Sequence, residues 1–435
     1  MLGKIKQELK QGKTLLRFGF LKATGLSLGM IAPLVIAKYF ASLELPKESA
    51  EGLYGSYSLA KMIVFFFSTL LIASSQTPFV VFANQERGQT GRINKTFSVQ
   101  LSFFILSFFI FFAVTLPFSK YIIAFAKISR VDLLFVLPAF VGLALKSFTC
   151  NLFMAMGQRI KNSLAELVFG FLTISLVFVL YWTGTMNLRT VFLVYPISGF
   201  SVALIFLWAV DINQLRPLYI DKQHFKDMLN FTKWLTVGAG AVYFINWGGN
   251  LVLRLYMSIG DVSMGDVGTY NLGYQIFKGI VMLTFIVNSY FLPFVSQHVE
   301  DPAKMKSYLF NKRPKIFLLG LIVIGLVFVA APYLFKLFFG EVFQDSVNVL
   351  RILLVGSVLM FYAVFYDPIL HSLKKYKFTQ TVNVLQVLLS MLLALLLVPV
   401  MGMVGAVVAT VIAYFFRAAT MEVYFRVKLK KLLKL

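Results

Sequence analysis

Between residues 378 and 416 the chain carries no charged side chain, and the same holds for 96–119, 167–188, 190–210 and 316–335. A bilayer's hydrocarbon core is crossed by about 20 apolar residues of helix. In lipid every backbone N–H and C=O must find its partner inside the protein, so runs this long are helices. Composition agrees: 59% of residues are hydrophobic and 14% are charged, against about 45–50% and about 25% in soluble domains. The single cysteine, Cys150, excludes a disulfide framework and a cysteine-based metal cluster.

The apolar pattern predicts an all-α polytopic membrane protein of about twelve transmembrane helices. In the first half they run near 15–41, 54–82, 97–116, 133–156, 164–182 and 190–210. In the second they run near 231–259, 268–295, 317–339, 349–370, 382–400 and 404–424, the last two separated at Pro399, Gly402 and Gly405. The opening lysines, Lys4, Lys6, Lys10 and Lys13, lead into a stretch long enough to span, so a cleaved signal peptide is not expected.

The formal net charge is +23. Its distribution orients the chain. With the N-terminus inside, the cytoplasmic connections hold that lysine group, then Arg87, Arg92 and Lys95, then Arg159 and Lys161, then Arg216, Lys222 and Lys226. They also hold Lys304, Lys306, Lys312, Arg313 and Lys315, then Lys374, Lys375 and Lys377, and finally Arg426, Lys428, Lys430, Lys431 and Lys434. The other side holds Lys47, Lys120, Lys127, Arg130 and Arg189. Both termini are therefore expected in the cytoplasm. Basic residues scattered over short loops make no nucleic-acid surface. The organisation expected is a six-helix bundle over 1–210, a cytoplasmic linker over 211–230 with an amphipathic segment at 224–234, and a second six-helix bundle over 231–435.

The two halves share a motif. Glu51-Gly-Leu-Tyr-Gly-Ser-Tyr57 opens the second span and Met264-Gly-Asp-Val-Gly-Thr-Tyr270 opens the eighth. Gly52/Gly265, Gly55/Gly268, Tyr57/Tyr270, Leu59/Leu272 and Ile63/Ile276 coincide at one constant offset, and both helices are expected to end near a proline, Pro78 and Pro293. Both copies lie on one side of the membrane, which indicates a parallel repeat.

A charge at the centre of a span costs at least about 2.5–3.5 kcal/mol and is a functional candidate by default. Here they are mostly cationic: Arg17, Lys22, Lys38, Lys61, Lys146, Lys233, Arg254, Lys278, Lys336, Arg351 and Arg417, against Glu166, Asp367 and Glu422. Those near helix ends can snorkel to the headgroups. Asp367 and Glu422 can pair with Arg417 or Arg426. Glu166 is read as opening the fifth helix, where a carboxylate suits the N-terminus, and both Glu166 and Asp367 are candidates for ion coupling. Lys146 and Lys278 are deep, Lys61 is borderline, and Arg254 is shallower. Lys278 lies one helical turn beyond the repeat equivalent of Lys61, so the two project from matching faces. Lys61, Lys146, Arg254 and Lys278 are expected to line a water-filled, anion-binding cavity, with separate local pairing the alternative. Asn246, Asn250 and Arg254 follow i, i+4, i+8 and share a face beside Trp247. That face either belongs to the cavity or makes interhelical hydrogen bonds.

Catalytic chemistry has no visible seat. His224, His298 and His371 have no metal-ligand spacing. No glycine-rich phosphate loop with Lys-Ser/Thr is present, so neither ATP nor another cofactor is expected.

The chain resembles the polysaccharide flippases of the multidrug/oligosaccharidyl-lipid/polysaccharide exporter superfamily over essentially its whole length. The resemblance rests on the two motifs above, on Tyr290-Phe-Leu-Pro-Phe-Val-Ser296, on Phe339-Gly-Glu-Val-Phe343 and on Val398-Pro-Val-Met-Gly-Met-Val-Gly-Ala406. It implies a MATE-like V of two six-helix bundles in a bacterial inner membrane. It implies flipping of undecaprenyl-pyrophosphate-linked oligosaccharide to the outer leaflet by alternating access, coupled to a proton or sodium gradient, for O-antigen or capsule synthesis, with polysaccharide polymerase machinery as a downstream partner. A multidrug antiporter of the same superfamily is the nearest alternative. Such pumps favour carboxylates in the cavity, and the first span carries Lys22 and Lys38 instead. A membrane glycan polymerase or ligase is the alternative from another class, and it would need a larger outward loop than this chain has.

Overall fold

The computed structural model describes residues 2–43, 45–257, 259–260, 262–299, 301–373 and 375–430. Lys374, Lys431 and Lys434, assigned above to the cytoplasmic side, lie outside the described residues. Among the described residues, twelve long helices follow one another. In the first half they are α1 (Leu2–Ser42), α2 (Lys47–Thr90), α3 (Asn94–Thr115), α4 (Arg130–Ala155), α5 (Arg159–Trp182) and α6 (Leu188–Leu207). In the second half they are α7 (Lys222–Met257), α8 (Met264–His298), α9 (Arg313–Phe339), α10 (Ser346–Ala363), α11 (Tyr376–Met401) and α12 (Met403–Tyr424). The described residues contain no strand. Among the described residues, ten helices are long and apolar enough to cross a membrane, and α7 and α8 occupy the seventh and eighth expected spans. The chain is an all-α, multi-pass membrane protein.

Local sequence sets several boundaries. Ser129 with Asp132, Asn187 with Thr190, and Ser263 with Asp266 form capping boxes that start α4, α6 and α8. Gly402, at φ +57°, parts α11 from α12, a conformation glycine adopts without steric cost.

Three expectations are corrected. The helix does not end near Pro78: α2 continues through it to Thr90, and α8 likewise runs on to His298. Proline removes one backbone donor, and a π-helical stretch, Ser68–Ala73, lies just before it. The Ser74 and Ser75 hydroxyls donate to the carbonyls of Leu70 and Ile72 there. The amphipathic segment at 224–234 is not separate, because α7 runs unbroken from Lys222. No glycine or proline falls between Asp221 and Gly238 to stop it. Nor does Glu166 open α5, which starts at Arg159, so the carboxylate sits about two turns inside.

By contacts the chain forms two compact units, Met1–Tyr39 with Leu59–Gly240, and Phe40–Ser58 with Ala241–Leu435. In the first, α4 packs on α6 where Gly142 and Gly199 let the backbones touch: a Cβ on Gly199 would meet the Gly142 carbonyl. Small residues at such crossings drive helix association in lipid. In the second, α12 packs on α10 and α11, and α8 packs on α10.

The opening turns of α2 belong to this second unit, and there the two copies of the repeated motif meet. A Cβ on Gly55 would strike the carbonyl of Met264, and one on Gly268 would strike the carbonyl of Glu51. Glu51 and Met264 are themselves repeat equivalents. The contact is therefore reciprocal, as in an interface with a two-fold axis, and the glycines of the repeat are the crossing point of two helices.

Candidate functional site

In the first unit the deep charges gather where α4 meets α5. Lys146 donates to Glu166 Oε1, and the Cys150 thiol, one turn on, donates to Oε2 at 3.9 Å. The Lys146 ammonium also stands 5.2 Å from the Phe169 ring centroid. Asn162 donates to the Cys150 carbonyl at 2.6 Å, closing the cluster. In low dielectric the carboxylate offsets the cost of burying the ammonium only because both are hydrogen-bonded. Lys61 is buried in α2, 5.6 Å from the Phe65 ring centroid.

In the second unit Lys278 of α8 sits between aromatic rings, 4.2 Å from the centroid of Trp247 and 4.9 Å from that of Tyr274. The ring faces stabilise the cation without neutralising it. Tyr274 donates to the Ile245 carbonyl at 3.1 Å and fixes the cage on α7. The α7 polar row divides. Asn246 donates to Val242 O of its own helix at 2.7 Å. Asn250 is fully buried with neither amide atom hydrogen-bonded. Arg254 is half-buried in the last turn. The three do not share one surroundings.

The remaining carboxylates are engaged. Asp367 accepts from Arg417 Nη2 at 3.1 and 3.4 Å, and Glu422 accepts from Arg426 Nε at 2.6 Å. Glu422 also accepts from the hydroxyls of Tyr362 and Tyr366. Arg313, expected as a loop cation, donates to Tyr366 and lies 4.2 Å over the Tyr362 ring. The chain Arg313–Tyr366–Glu422–Arg426 ties together α9, α12 and the turn after α10.

Sequence reasoning missed Glu86. Its carboxylate accepts the N–H groups of Lys95 and Thr96 and the Thr96 hydroxyl. From the last turns of the preceding helix it thereby caps α3, whose N-terminal dipole favours an anion. His224 shares the Thr96 hydroxyl at 2.8 Å. In sequence, Gln85-Glu86-Arg87 reads as an ordinary solvated turn, and no local spacing signals a cap. Glu86→Ala is expected to leave the N–H groups of Lys95 and Thr96 without their acceptor and to cost about 1–3 kcal/mol, readable as a lower melting temperature in detergent.

With this geometry in view, the chain can be compared with known proteins. The MatE family model matches residues 239–396. No curated protein sequence matches. Among solved structures, an inward-facing multidrug resistance MATE family transporter of the MOP superfamily superposes with a TM-score of 0.75. It shares 15% identity, over 95% of this chain and 99% of the other. The fold is MATE-like. The outward-facing conformation of a multidrug resistance MATE family transporter gives a TM-score of 0.67 at 15% identity, over 97% and 96%. The lipid II flippase MurJ in an inward closed conformation gives 0.70 at 16% identity, over 94% and 87%. This MATE-like fold thus superposes on proteins described as multidrug resistance MATE family transporters and on one described as a lipid II flippase.

Proposed function

We propose that this protein is a transporter and not an enzyme. It flips a lipid-pyrophosphate-linked oligosaccharide from the cytoplasmic to the outer leaflet of a bacterial inner membrane by alternating access. The sign of the intramembrane charge carries this reading. Glu166, Asp367 and Glu422 each already hold a basic residue, while the spans hold a large further excess of lysine and arginine. Lys61 is buried in the first unit and Lys278 is caged in the second. Such a protein favours an anionic headgroup over the cationic drugs of the multidrug branch. Lys61, Lys278 and Arg254 serve the pyrophosphate. Asn246 and Asn250 serve sugar hydroxyls, and Lys146 answers to Glu166. Glu166 or Asp367 takes the coupling proton or sodium ion.

A Lys–phosphate contact is worth roughly 1–4 kcal/mol depending on the effective dielectric. Lys61→Ala and Lys278→Ala are each expected to slow flipping about tenfold or more, with Lys→Arg retaining most of it. The test is mass spectrometry of lipid-linked saccharides, with sidedness, in a strain lacking the protein. Complete repeat units held in the cytoplasmic leaflet support the reading. Single units piling up on the outer leaflet refute it in favour of a polymerase or ligase. An unchanged lipid profile with heightened sensitivity to cationic drugs refutes it in favour of a multidrug antiporter.

A further inference from the structure

The segment joining α6 to α7 is built onto the first unit. The Ile93 N–H donates to Gln214 O at 2.9 Å, Asn94 Nδ2 to Pro217 O at 3.0 Å, and the Tyr219 N–H to Ser98 Oγ at 3.1 Å. Lys161 Nζ donates to Ala209 O at 3.0 Å. Leu215 and Met228 are buried beneath it, and Phe225 packs on Phe103 with ring centroids 5.2 Å apart. The backbone is fixed, yet four large apolar side chains face outward: Trp208 is 88% exposed, Ile212 54%, Leu218 54% and Ile220 55%. They lie past the end of α6 at Leu207, on the side that the lysine and arginine distribution assigns to the cytoplasm.

The exposed charges beside them are Arg216, Lys222 and Lys226. The neighbouring acids are turned to local work. Asp211 accepts from Asn213 N and Gln214 Nε2, and Asp227 accepts from Gln223. Asp221 accepts the His224 N–H at 2.9 Å, which holds its carboxyl below the usual range, and it stands 3.8 Å from Lys95. An apolar row with a tryptophan, next to free basic groups on a pre-set backbone, matches the layered chemistry of a membrane surface. Acyl chains begin where anionic phosphates end, and juxtamembrane basic residues are drawn to that layer. Because the backbone is already held, little ordering cost opposes docking.

We propose that residues 208–226 form a docking surface for anionic phospholipid in the cytoplasmic leaflet. Trp208, Ile212, Leu218 and Ile220 enter the acyl boundary, and Arg216, Lys222 and Lys226 meet the phosphates. The surface is independent of what the protein transports.

The full-length protein is placed in nanodiscs of phosphatidylglycerol and phosphatidylcholine whose acyl chains are brominated, and tryptophan emission is compared for wild type and Trp208→Phe. The difference between the two, which reports Trp208, is expected to be quenched by the bromines and shielded from acrylamide in the aqueous phase. In native mass spectrometry, R216Q/K222Q/K226Q is expected to retain several-fold less phosphatidylglycerol than wild type and the same amount of phosphatidylethanolamine. A Trp208 signal open to acrylamide and untouched by bromine overturns the proposal. So does equal phosphatidylglycerol retention, or crosslinking of 208–220 to a protein partner irrespective of lipid. All four substituted side chains are exposed, so the variants keep the packed core intact.

Discussion

Glu166→Ala is expected to destabilise the protein by about 3–5 kcal/mol, the usual cost of stranding one member of a buried ion pair. The reason is local. Lys146 lies inside α4 with Glu166 as its carboxylate and the Phe169 ring beside it. Removing the carboxylate leaves a largely buried ammonium without its counterion. Lys146→Met in the same background should recover part of the loss, since it removes the stranded charge and leaves only the void at position 166. Thermal unfolding in detergent of the two single variants and the double variant gives the coupling energy directly. Transport then separates structure from coupling. If the double variant is stable and still moves substrate against the same gradient, Glu166 is a structural counterion. If it is stable but transport no longer follows the gradient, Glu166 is where the coupling ion binds. Additive single effects would show that the pair is not an energetic unit.

The second expectation concerns sign. Alanine raises helix propensity over glycine by about 1 kcal/mol, so Gly279→Ala in α8, where a Cβ meets nothing within 4 Å, should stabilise or be neutral. Gly268→Ala, eleven residues earlier on the same helix, should do the reverse. Its Cβ would press on the carbonyl of Glu51, and a helix backbone cannot turn aside as a side chain can. The cost should reach about 3 kcal/mol, the upper end of overpacking penalties, and Gly55→Ala should mirror it against Met264. The buried Glu51–Thr269 hydrogen bond, at 3.0 Å, should be lost with it. Melting temperatures of the three variants decide the matter. Equal behaviour at 268 and 279 would mean that the helices do not cross at the repeated glycines.

These two sites differ in how far the sequence disclosed them. The repeat was visible as a constant offset, because glycine and tyrosine at fixed spacing are uncommon in apolar helices. What the glycines do was not visible, because a helix crossing is a relation between two segments far apart in the chain. The partners of Asp367 and Glu422 were among those expected, since Arg417 lies on α12 and Arg426 in the turn that follows it. Local pairing of the deep lysines is an open alternative in the sequence, but Glu166 as the partner of Lys146 is hidden because α5 starts earlier than its apolar run. Apolar periodicity locates a span's middle better than its polar first turns, and Arg159–Ser163 looks like loop. Glu86 and Arg313 were also missed, since a carboxylate in a turn and an arginine after a lysine look solvated until their partners are known.

The sequence by itself determined that this chain is a helical membrane protein of many apolar spans, and that those spans carry more lysine and arginine than acid. All of these follow from transfer free energies summed over local stretches, with lipid in place of a packed core as the solvent. Only the tertiary structure decided which of those cations meets a carboxylate, which sits in an aromatic cage, and where the two copies of the repeat touch. Hydrogen bonds and backbone contacts between helices depend on angles and distances that a one-dimensional pattern does not carry.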